Sequence, residues 1–383
     1  MAKADPDFTA FYTAGWLLRE GRGDQLYDAR AQLEVQQRFA GDSDIRRGPL
    51  PYIHPPYEAA LFLPLTFLTY REALAVWEMS KIGMLLAVAL LLRGALSSLR
   101  AMPLWEWMLA FLAFFPVFAD FLQGQDAIFL LLLFVLSFRA FAFNSEFAAG
   151  CWLGLGVFRF HLVIPLVLIL ALWNYRKLVA GFAVAGSAAL LLSLALVGWR
   201  GALQYPFYLW HWASSTGIGN MPPRLMPNLV GLLTGWPLPQ AAKWTLQVAA
   251  LAASVAVLAE AVHLRTLTGL QNLENDRSLL NLRLAYAVIA AVLVGYNAGS
   301  YDLCLLILPL AWVADYCFAL LPELPAIGRR LLLPCLALLI SPLWFLLWRR
   351  WERINLMAIF LLWWIYALRR ETLRRAGTAA AGT

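Results

Sequence analysis

Charged side chains are scarce in this chain. Asp, Glu, Lys and Arg together make up 14% of its 383 residues, whereas hydrophobic residues make up 62%. Such a balance is not typical of a soluble domain. Apolar runs of membrane-spanning length recur along the chain, so we predict an all-α polytopic membrane protein. Runs such as "AIFLLLLFVL" do not alternate between apolar and polar residues, which excludes a transmembrane β-barrel.

Several patterns that form binding sites are also absent. The sequence contains no P-loop, no Rossmann glycine pattern and no His/Cys metal spacing, so we expect no cofactor, no soluble nucleotide donor and no bound zinc. The opening residues "MAKADPDF" lack the apolar region of a signal peptide. The cysteines form no CxxC pair and lie in apolar segments, which predicts buried free thiols: Cys151, Cys304, Cys317 and Cys335.

The formal net charge of +7 comes from Lys and Arg residues that punctuate the apolar runs. They do not line one polar face, so no nucleic acid partner is expected. Arg93, Arg139, Arg176 and Arg265 predict cytoplasmic loops by the positive-inside rule, although "RRWER" at 349–353 conflicts with the resulting orientation. The loops that then face outward are residues 1–71, 123–126, 198–240 and 299–302.

Apolar segments of sufficient length predict about nine to eleven transmembrane helices. The predicted spans are 73–92, 104–121, 127–143, 147–173, 178–197, 241–263, 282–298, 303–320, 331–347 and 354–368. The run "PPYEAALFLPLTFLTY" is too short to span and predicts an interfacial helix with Pro56 in its first turn. The predicted domains are an outer loop with interfacial helices (1–72), a transmembrane domain (73–370, with an outer loop at 198–240) and a disordered cytoplasmic tail (371–383).

The predicted outer ends of the helices carry most of the unusual polar residues. The motif "FADFLQGQDAIF" contains Asp120, Gln123, Gln125 and Asp126. These residues predict either a polar cavity or a hydrated loop, because unpaired polar groups at membrane depth are costly. Asp7 begins an amphipathic helix, where a carboxylate is either a simple cap or a functional group. Asp302 in "GYNAGSYDLC" leaves the same two alternatives open.

The segment "LGLGVFRFHLVIPL" interrupts an apolar span with Arg159 and His161. A central Arg costs roughly 2.5–3.5 kcal/mol on insertion scales. Because Arg stays charged, it needs a carboxylate, a phosphate or water, and a functional role with an anionic lipid phosphate is favoured. By contrast, Glu78 and Lys81 stand one helical turn apart and predict a self-satisfied pair.

The order of several motifs resembles glycosyltransferase family 87 over about residues 5–320. These motifs are "DFTAFYTAGWLL", "HPPYEAALFLPLTFL", "QGQDAIFLLLL", "GLGVFRFHLVIPLVLILAL", "MPNLVGLL" and "YDLCLLILPL". The resemblance implies a C-type glycosyltransferase fold in the cytoplasmic membrane. It also implies transfer of a hexose, typically mannose, from a polyprenyl-phosphate carrier to a lipid or glycan acceptor on the outer side. The partners are then the lipid-linked donor, the acceptor and membrane lipids.

The resemblance also implies site residues. Asp7 matches the catalytic acid of the first outer loop, with Asp5 as a second choice, and Arg159 with His161 matches the cations near the donor phosphate. The remaining expected substrate-binding residues are Asp5, Tyr12, His54, Gln123, Gln125, Asp126, Asn228, Tyr301 and Asp302. No metal ligand is expected, since a lone Asp without a second acid argues against a bound cation, although metal dependence stays open.

The chain also departs from the family pattern. The family has a transmembrane helix before Asp7, so this first helix is expected to be missing. His54 stands where an aromatic residue is expected, and Val230 stands where many relatives have Arg. Two other functions stay open: a transporter or flippase of a lipid-linked or anionic substrate, and an inactive truncated relative.

Overall fold

The computed structural model describes residues 7–40, 50–214, 221–236, 238–268, 277–320, 324–339 and 356–381. These residues form α-helices joined by turns and short 3-10 helices, and this part of the chain contains no strand, which confirms the predicted all-α class. The helices are α1 (Phe8–Arg19), α2 (Ala29–Ala40), α3 (Pro56–Phe62), α4 (Tyr70–Ala95), α5 (Leu104–Ala113), α6 (Phe115–Gln123), α7 (Ala127–Ala142), α8 (Glu146–Leu155), α9 (Phe160–Leu172), α10 (Arg176–Ser214), α11 (Leu229–Thr234), α12 (Gln240–Thr268), α13 (Arg277–Val294), α14 (Ile307–Ala319), α15 (Leu324–Leu339) and α16 (Met357–Ala381).

Six helical segments of the described chain are long and apolar enough to cross a membrane, and α5 with α6, bent by 72°, would make a seventh. The six are Tyr70–Ala95, Glu146–Leu172, Arg176–Trp210, Ala241–Leu267, Arg277–Val294 and Tyr301–Ala319. The predicted number was higher by three spans. It included α7, which is shorter, 331–347, of which residues 340–347 lie outside the described residues, and 354–368, whose helix α16 is not among the six. The "RRWER" segment lies outside them too.

The N-terminal helices build a small aromatic core of their own. Phe8, Phe11 and Tyr12 of α1 are buried, and the Phe11 ring stacks on Phe62 of α3 at 4.7 Å. As predicted, Pro56 occupies the first turn of α3, where its missing N–H costs nothing. This core fixes α1 against the start of α4 and thereby positions both Asp7 and the segment before α3.

The segment Glu146–Leu172 has the length and composition of a membrane span, but it folds back on itself and does not cross as one straight helix. Helix α8 packs along α10, and the two helices run in the same direction. Gly150 lies against Leu178, and Gly154, further along α8, lies against Ala185, further along α10. Helix α9 must therefore return to the end where α8 begins, and the rings of Phe141 and Tyr175 are indeed 4.8 Å apart there. The tip of this hairpin is the 3-10 helix Gly156–Arg159. Arg159 consequently lies at a helix turn and not in the middle of a continuous span.

Two predicted irregular regions are helical. Helix α10 bends at Gly198 but continues to Ser214, so residues 198–214 of the predicted outer loop are helical. Helix α16 extends to Ala381, so the predicted disorder is wrong for residues 371–381. There Glu371 is 3% exposed and accepts a 2.6 Å hydrogen bond from the Tyr316 hydroxyl. The tail is ordered because this buried carboxylate has partners inside the protein.

The close approach of α8 and α10 generates a stability prediction. A methyl group at Gly150 would collide with the Leu178 carbonyl, whereas one at Gly186 would meet no atom within 4 Å. Gly→Ala in a free helix gains up to about 1 kcal/mol, but overpacking costs about 1–3 kcal/mol. Gly150→Ala should therefore lower the thermal unfolding temperature in detergent, and Gly186→Ala should keep or raise it. Equal midpoints for the two variants would contradict the packing described here.

Candidate active site

A tight turn between α6 and α7 presents two polar side chains at one end of the bundle. Gly124 ends α6 with φ of 63°, a left-handed conformation that favours glycine. A Cβ there would also lie 2.7 Å from the Cβ of Phe8, so glycine permits close contact with α1. The Gly124 carbonyl accepts a hydrogen bond from the indole of Trp77 on α4. The turn thus places Gln125 and Asp126 directly beside the start of α1.

Asp120, not Asp126, caps helix α7. The Asp120 Oδ2 atom accepts hydrogen bonds from the backbone N–H groups of Ala127 at 2.9 Å and Ile128 at 3.3 Å. Its Oδ1 atom lies 2.9 Å from the Lys81 Nζ atom, and both side chains are fully buried. Lys81 also contacts Glu78, so the predicted pair is present but has a further partner. Because Asp120 supplies the cap, the Asp126 carboxylate is available for other contacts.

Arg159 at the hairpin tip is surrounded by the expected site residues. Its guanidinium donates to Asp126 Oδ1, with Nε at 2.9 Å and a second, short bond from Nη2, and also donates to the Gln125 amide oxygen. The Asp302 carboxylate lies 3.5 Å away, and the Tyr301 ring centroid lies 5.2 Å from Cζ. Arg159 is buried, so these carboxylates provide the compensation that a permanent charge requires.

Gln125 connects this cluster to Asp7. Its amide nitrogen donates a 2.6 Å hydrogen bond to Asp7 Oδ2, while its amide oxygen accepts from Arg159. The Asp7 side chain makes no capping hydrogen bond to α1, although the residue stands at the N-cap position. The structure therefore brings Asp7 and Arg159 together across one amide group, and it separates Asp7 from the simple capping role that its sequence position allowed.

The second Asp126 oxygen faces a buried imidazole and a further acid. His54 Nδ1 lies 3.7 Å from Asp126 Oδ2 and 2.7 Å from Glu58 Oε2. The His54 ring also packs edge-on against Phe11, with the centroids 4.9 Å apart. One ligand atom from each of His54, Glu58 and Asp126 lies within 4.8 Å of the others, the kind of group that could hold a metal ion.

Burial and neighbouring charges set the protonation of this group. Burial lowers the pKa of His54 to about 3, with Arg159 adding to the effect against the opposing charge of Asp126. Burial also raises the pKa of Glu58 well above its usual range, and the nearby Asp126 carboxylate raises it further. Burial opposes ionisation of Asp126 as well, but the Arg159 guanidinium, His54 and a hydrogen bond from Glu58 together outweigh it and lower the pKa of that carboxyl. Asp126 is thus the ionised member at neutral pH, and His54 is neutral.

Not every expected site residue joins this cluster. The Tyr12 hydroxyl donates to the Leu68 carbonyl within the N-terminal core. Asn228 caps α11 and donates to the Gly295 carbonyl, so backbone groups occupy its side chain. Gln123 ends α6 half-buried, without a side-chain hydrogen bond to the described part of the chain. His161 lies at the edge of the cluster, 4.0 Å from Asp302. Asp5 lies outside the described residues.

Two acids in the neighbourhood were not among the expected site residues. Glu58 is 2% exposed and is the single acid in the apolar run "PPYEAALFLPLTFLTY", a signal that could have identified it. Asp120 was noted as polar, but its role as the cap of α7 depends on the turn at Gly124. The argument that a lone Asp disfavours a cation does not hold for this cluster, since Glu58 and Asp126 lie side by side.

Comparisons with known proteins give one family. The sequence profile described as glycosyltransferase family 87 matches residues 52–294, which is more than half of the chain. The matched region contains His54, Glu58, Gln125, Asp126 and Arg159. No curated protein and no solved structure matches the chain.

The buried pair of Lys81 and Asp120 generates a prediction about the turn that presents the site. Lys81→Met removes the cation and leaves a buried carboxylate unpaired, which should destabilise the protein by about 3–5 kcal/mol. Adding Asp120→Asn should recover part of this loss, because the amide oxygen can still accept from the Ala127 N–H. Thermal unfolding of the single and double variants in detergent measures the difference. A double variant no more stable than Lys81→Met would contradict the pairing.

Proposed function

We propose a sugar donor, a catalytic base and the side of the membrane on which the active site lies. The chain belongs to glycosyltransferase family 87 and is a membrane glycosyltransferase. In the proposed reaction a hexose, with mannose as the first choice, moves from a polyprenyl-phosphate carrier to a hydroxyl group of a lipid or glycan acceptor. The observation that carries the proposal is the Asp7 carboxylate, which Gln125 holds next to the Arg159 guanidinium. Family membership favours this transfer over the transporter alternative.

Asp7 is the proposed general base. Glycosyl transfer needs a group that accepts the proton of the attacking hydroxyl. The Asp7 carboxylate suits this role because it is half-buried, is not used as a helix cap and is oriented by the Gln125 amide. The acceptor oxygen would bond to the anomeric carbon as the bond to the carrier phosphate breaks. A single displacement of this kind inverts the anomeric centre.

Arg159 is the proposed partner of the leaving phosphate, with His161 at its side. Positive charge at this position stabilises the negative charge that develops on the departing carrier. Arg159 points into the cluster that contains Asp126, Tyr301 and Asp302, so a phosphate would share the guanidinium with two carboxylates. His54, Gln125 and these neighbours are the proposed contacts for sugar and phosphate oxygens.

The distribution of charge supports an active site on the outer side of the cytoplasmic membrane. Helix α7 has 16 residues and is therefore about 24 Å long, and its two ends differ in charge. Asp126 stands at one end, whereas Arg139 stands in the last turn at the other end. Tyr175 lies at the same end as Arg139, and the Arg265 Cζ atom is 5.4 Å from the centroid of the Tyr175 ring. Cations concentrate on the cytoplasmic side, which leaves the acidic end outside.

Asp7→Asn tests the proposed base. Loss of a general base should reduce transfer by about 10²–10⁴-fold while the fold and donor binding persist, because asparagine keeps the hydrogen bond to Gln125. The measurement offers polyprenyl-phosphate mannose, glucose and arabinose to membranes that contain the full chain. Asp24→Asn, which changes an exposed acid of the same region, serves as the matched control and should transfer normally.

Two results would overturn parts of this proposal separately. Wild-type rates in Asp7→Asn would reject Asp7 as the base. Transfer from none of the three donors by the wild-type chain would reject the polyprenyl-phosphate donor class or leave the inactive-relative alternative standing. Inversion or retention at the transferred sugar, read by NMR of the product, tests the single displacement independently.

A further inference from the structure

Three buried ligand atoms converge beside the proposed catalytic base. They are His54 Nδ1, a carboxylate oxygen of Glu58 and Asp126 Oδ2, and their residues are 8%, 2% and 0% exposed. With both carboxyl groups ionised, neither Glu58 oxygen, nor His54 Nδ1, nor Asp126 Oδ2 has a hydrogen-bond partner within the described chain, whereas a proton on Glu58 would form a hydrogen bond to Asp126. The 2.7 Å contact between His54 Nδ1 and Glu58 Oε2 therefore lacks hydrogen-bond geometry. Buried polar atoms of this kind are normally satisfied, so the arrangement indicates a missing partner.

The spacing of these atoms is compatible with one cation that binds all three of them. Ligands about 2.1 Å from an ion lie about 3.0 Å apart when adjacent and about 4.2 Å apart when opposite. His54 Nδ1 lies 2.7 Å from Glu58 Oε2 and 3.7 Å from Asp126 Oδ2, and all three atoms lie within 4.8 Å of one another. Other coordination positions would stay open for water or a phosphate oxygen.

The local charge balance also calls for a cation. Asp126, Glu58 and Asp302 are buried acids, and the ion pairs that the described residues offer them come from Arg159, His54 and His161. Only Arg159 among these three is permanently charged. A donor phosphate added to this group would bring further negative charge next to Asp126 and Asp302, which already share the Arg159 guanidinium. One guanidinium is too little to balance both the acids and a leaving phosphate.

We propose that His54, Glu58 and Asp126 form a binding site for one divalent cation of the Mn²⁺ type. Two carboxylate oxygens suit Mn²⁺ and Mg²⁺, and the imidazole nitrogen moves the preference toward a transition metal. The second oxygen of Asp126 stays bonded to Arg159, which orients the carboxylate for the ion.

The role of this ion rests on the proposed function. Asp126 links the cation to Arg159, and Gln125 links Arg159 to Asp7, so the ion lies next to the proposed position of the donor phosphate. The ion would add positive charge where the carrier phosphate leaves, in addition to Arg159. The binding site itself is independent of which sugar is transferred.

Electron paramagnetic resonance of Mn²⁺ tests the site without an activity assay. The full chain in detergent, stripped with a chelator, is titrated with Mn²⁺ while the sharp signal of the free ion is recorded. Wild type should bind one Mn²⁺ per chain, and Glu58→Gln should weaken binding by about tenfold or more. Glu78→Gln, which removes a partly buried acid that faces Lys81, is the matched control and should bind as wild type. His54→Gln provides a second loss variant, and thermal unfolding verifies that each variant is folded.

The outcomes separate this inference from the proposed function. No bound Mn²⁺ in the wild type would overturn the cation site and would leave a proton shared between Glu58 and Asp126 as the occupant. Equal affinity in Glu58→Gln and wild type would overturn it as well. Mn²⁺ binding that Glu58→Gln weakens supports the site even if no polyprenyl-phosphate sugar is transferred. Transfer that persists in a chelator with the site emptied would reject the catalytic role of the ion alone.

Discussion

The ion pair between Arg159 and Asp126 is the interaction on which the site depends. A guanidinium stays charged in a buried environment, so it holds its place only where a carboxylate meets it. Here the pair joins the tip of the α8–α9 hairpin to the start of α7. Both elements are apolar along their lengths and gather their polar groups where they meet. Loss of the pair would leave a hairpin tip with an uncompensated charge inside the bundle.

Two acids near the start of α7 have separate roles. Asp120 caps α7 and pairs with Lys81, whereas Asp126, at the N-cap position itself, bonds Arg159 with one oxygen and faces His54 with the other. Asp120 therefore accepts the hydrogen bonds of the free N–H groups of the helix, and Asp126 is left for contacts within the site. Both acids tolerate full burial, because each one has a cation at its side.

The aromatic core of the N-terminal helices forms one side of the site. Phe11 packs against both Phe62 and the His54 ring, so the same side chain anchors α1 and positions the imidazole. Gly124 allows α1 to approach the α6–α7 turn closely enough for Gln125 to reach Asp7. Asp7, the bridging amide and the guanidinium therefore come from three separate parts of the chain. Their alignment depends on packing between helices and on no local motif.

The sequence by itself determined the helical membrane class, most helix positions and the clustering of polar residues at one end, because run length and flanking charge are local properties. It also determined that Arg159 needs a compensating group. Which acid compensates it, how Asp120 frees Asp126, and that Glu58 joins His54 were decided by the tertiary structure. The deciding features are the folded-back hairpin and the turn at Gly124, which bring together residues 33 positions apart in the case of Arg159 and Asp126. Such contacts follow from how the helices pack, and a residue pattern read along the chain does not contain that information.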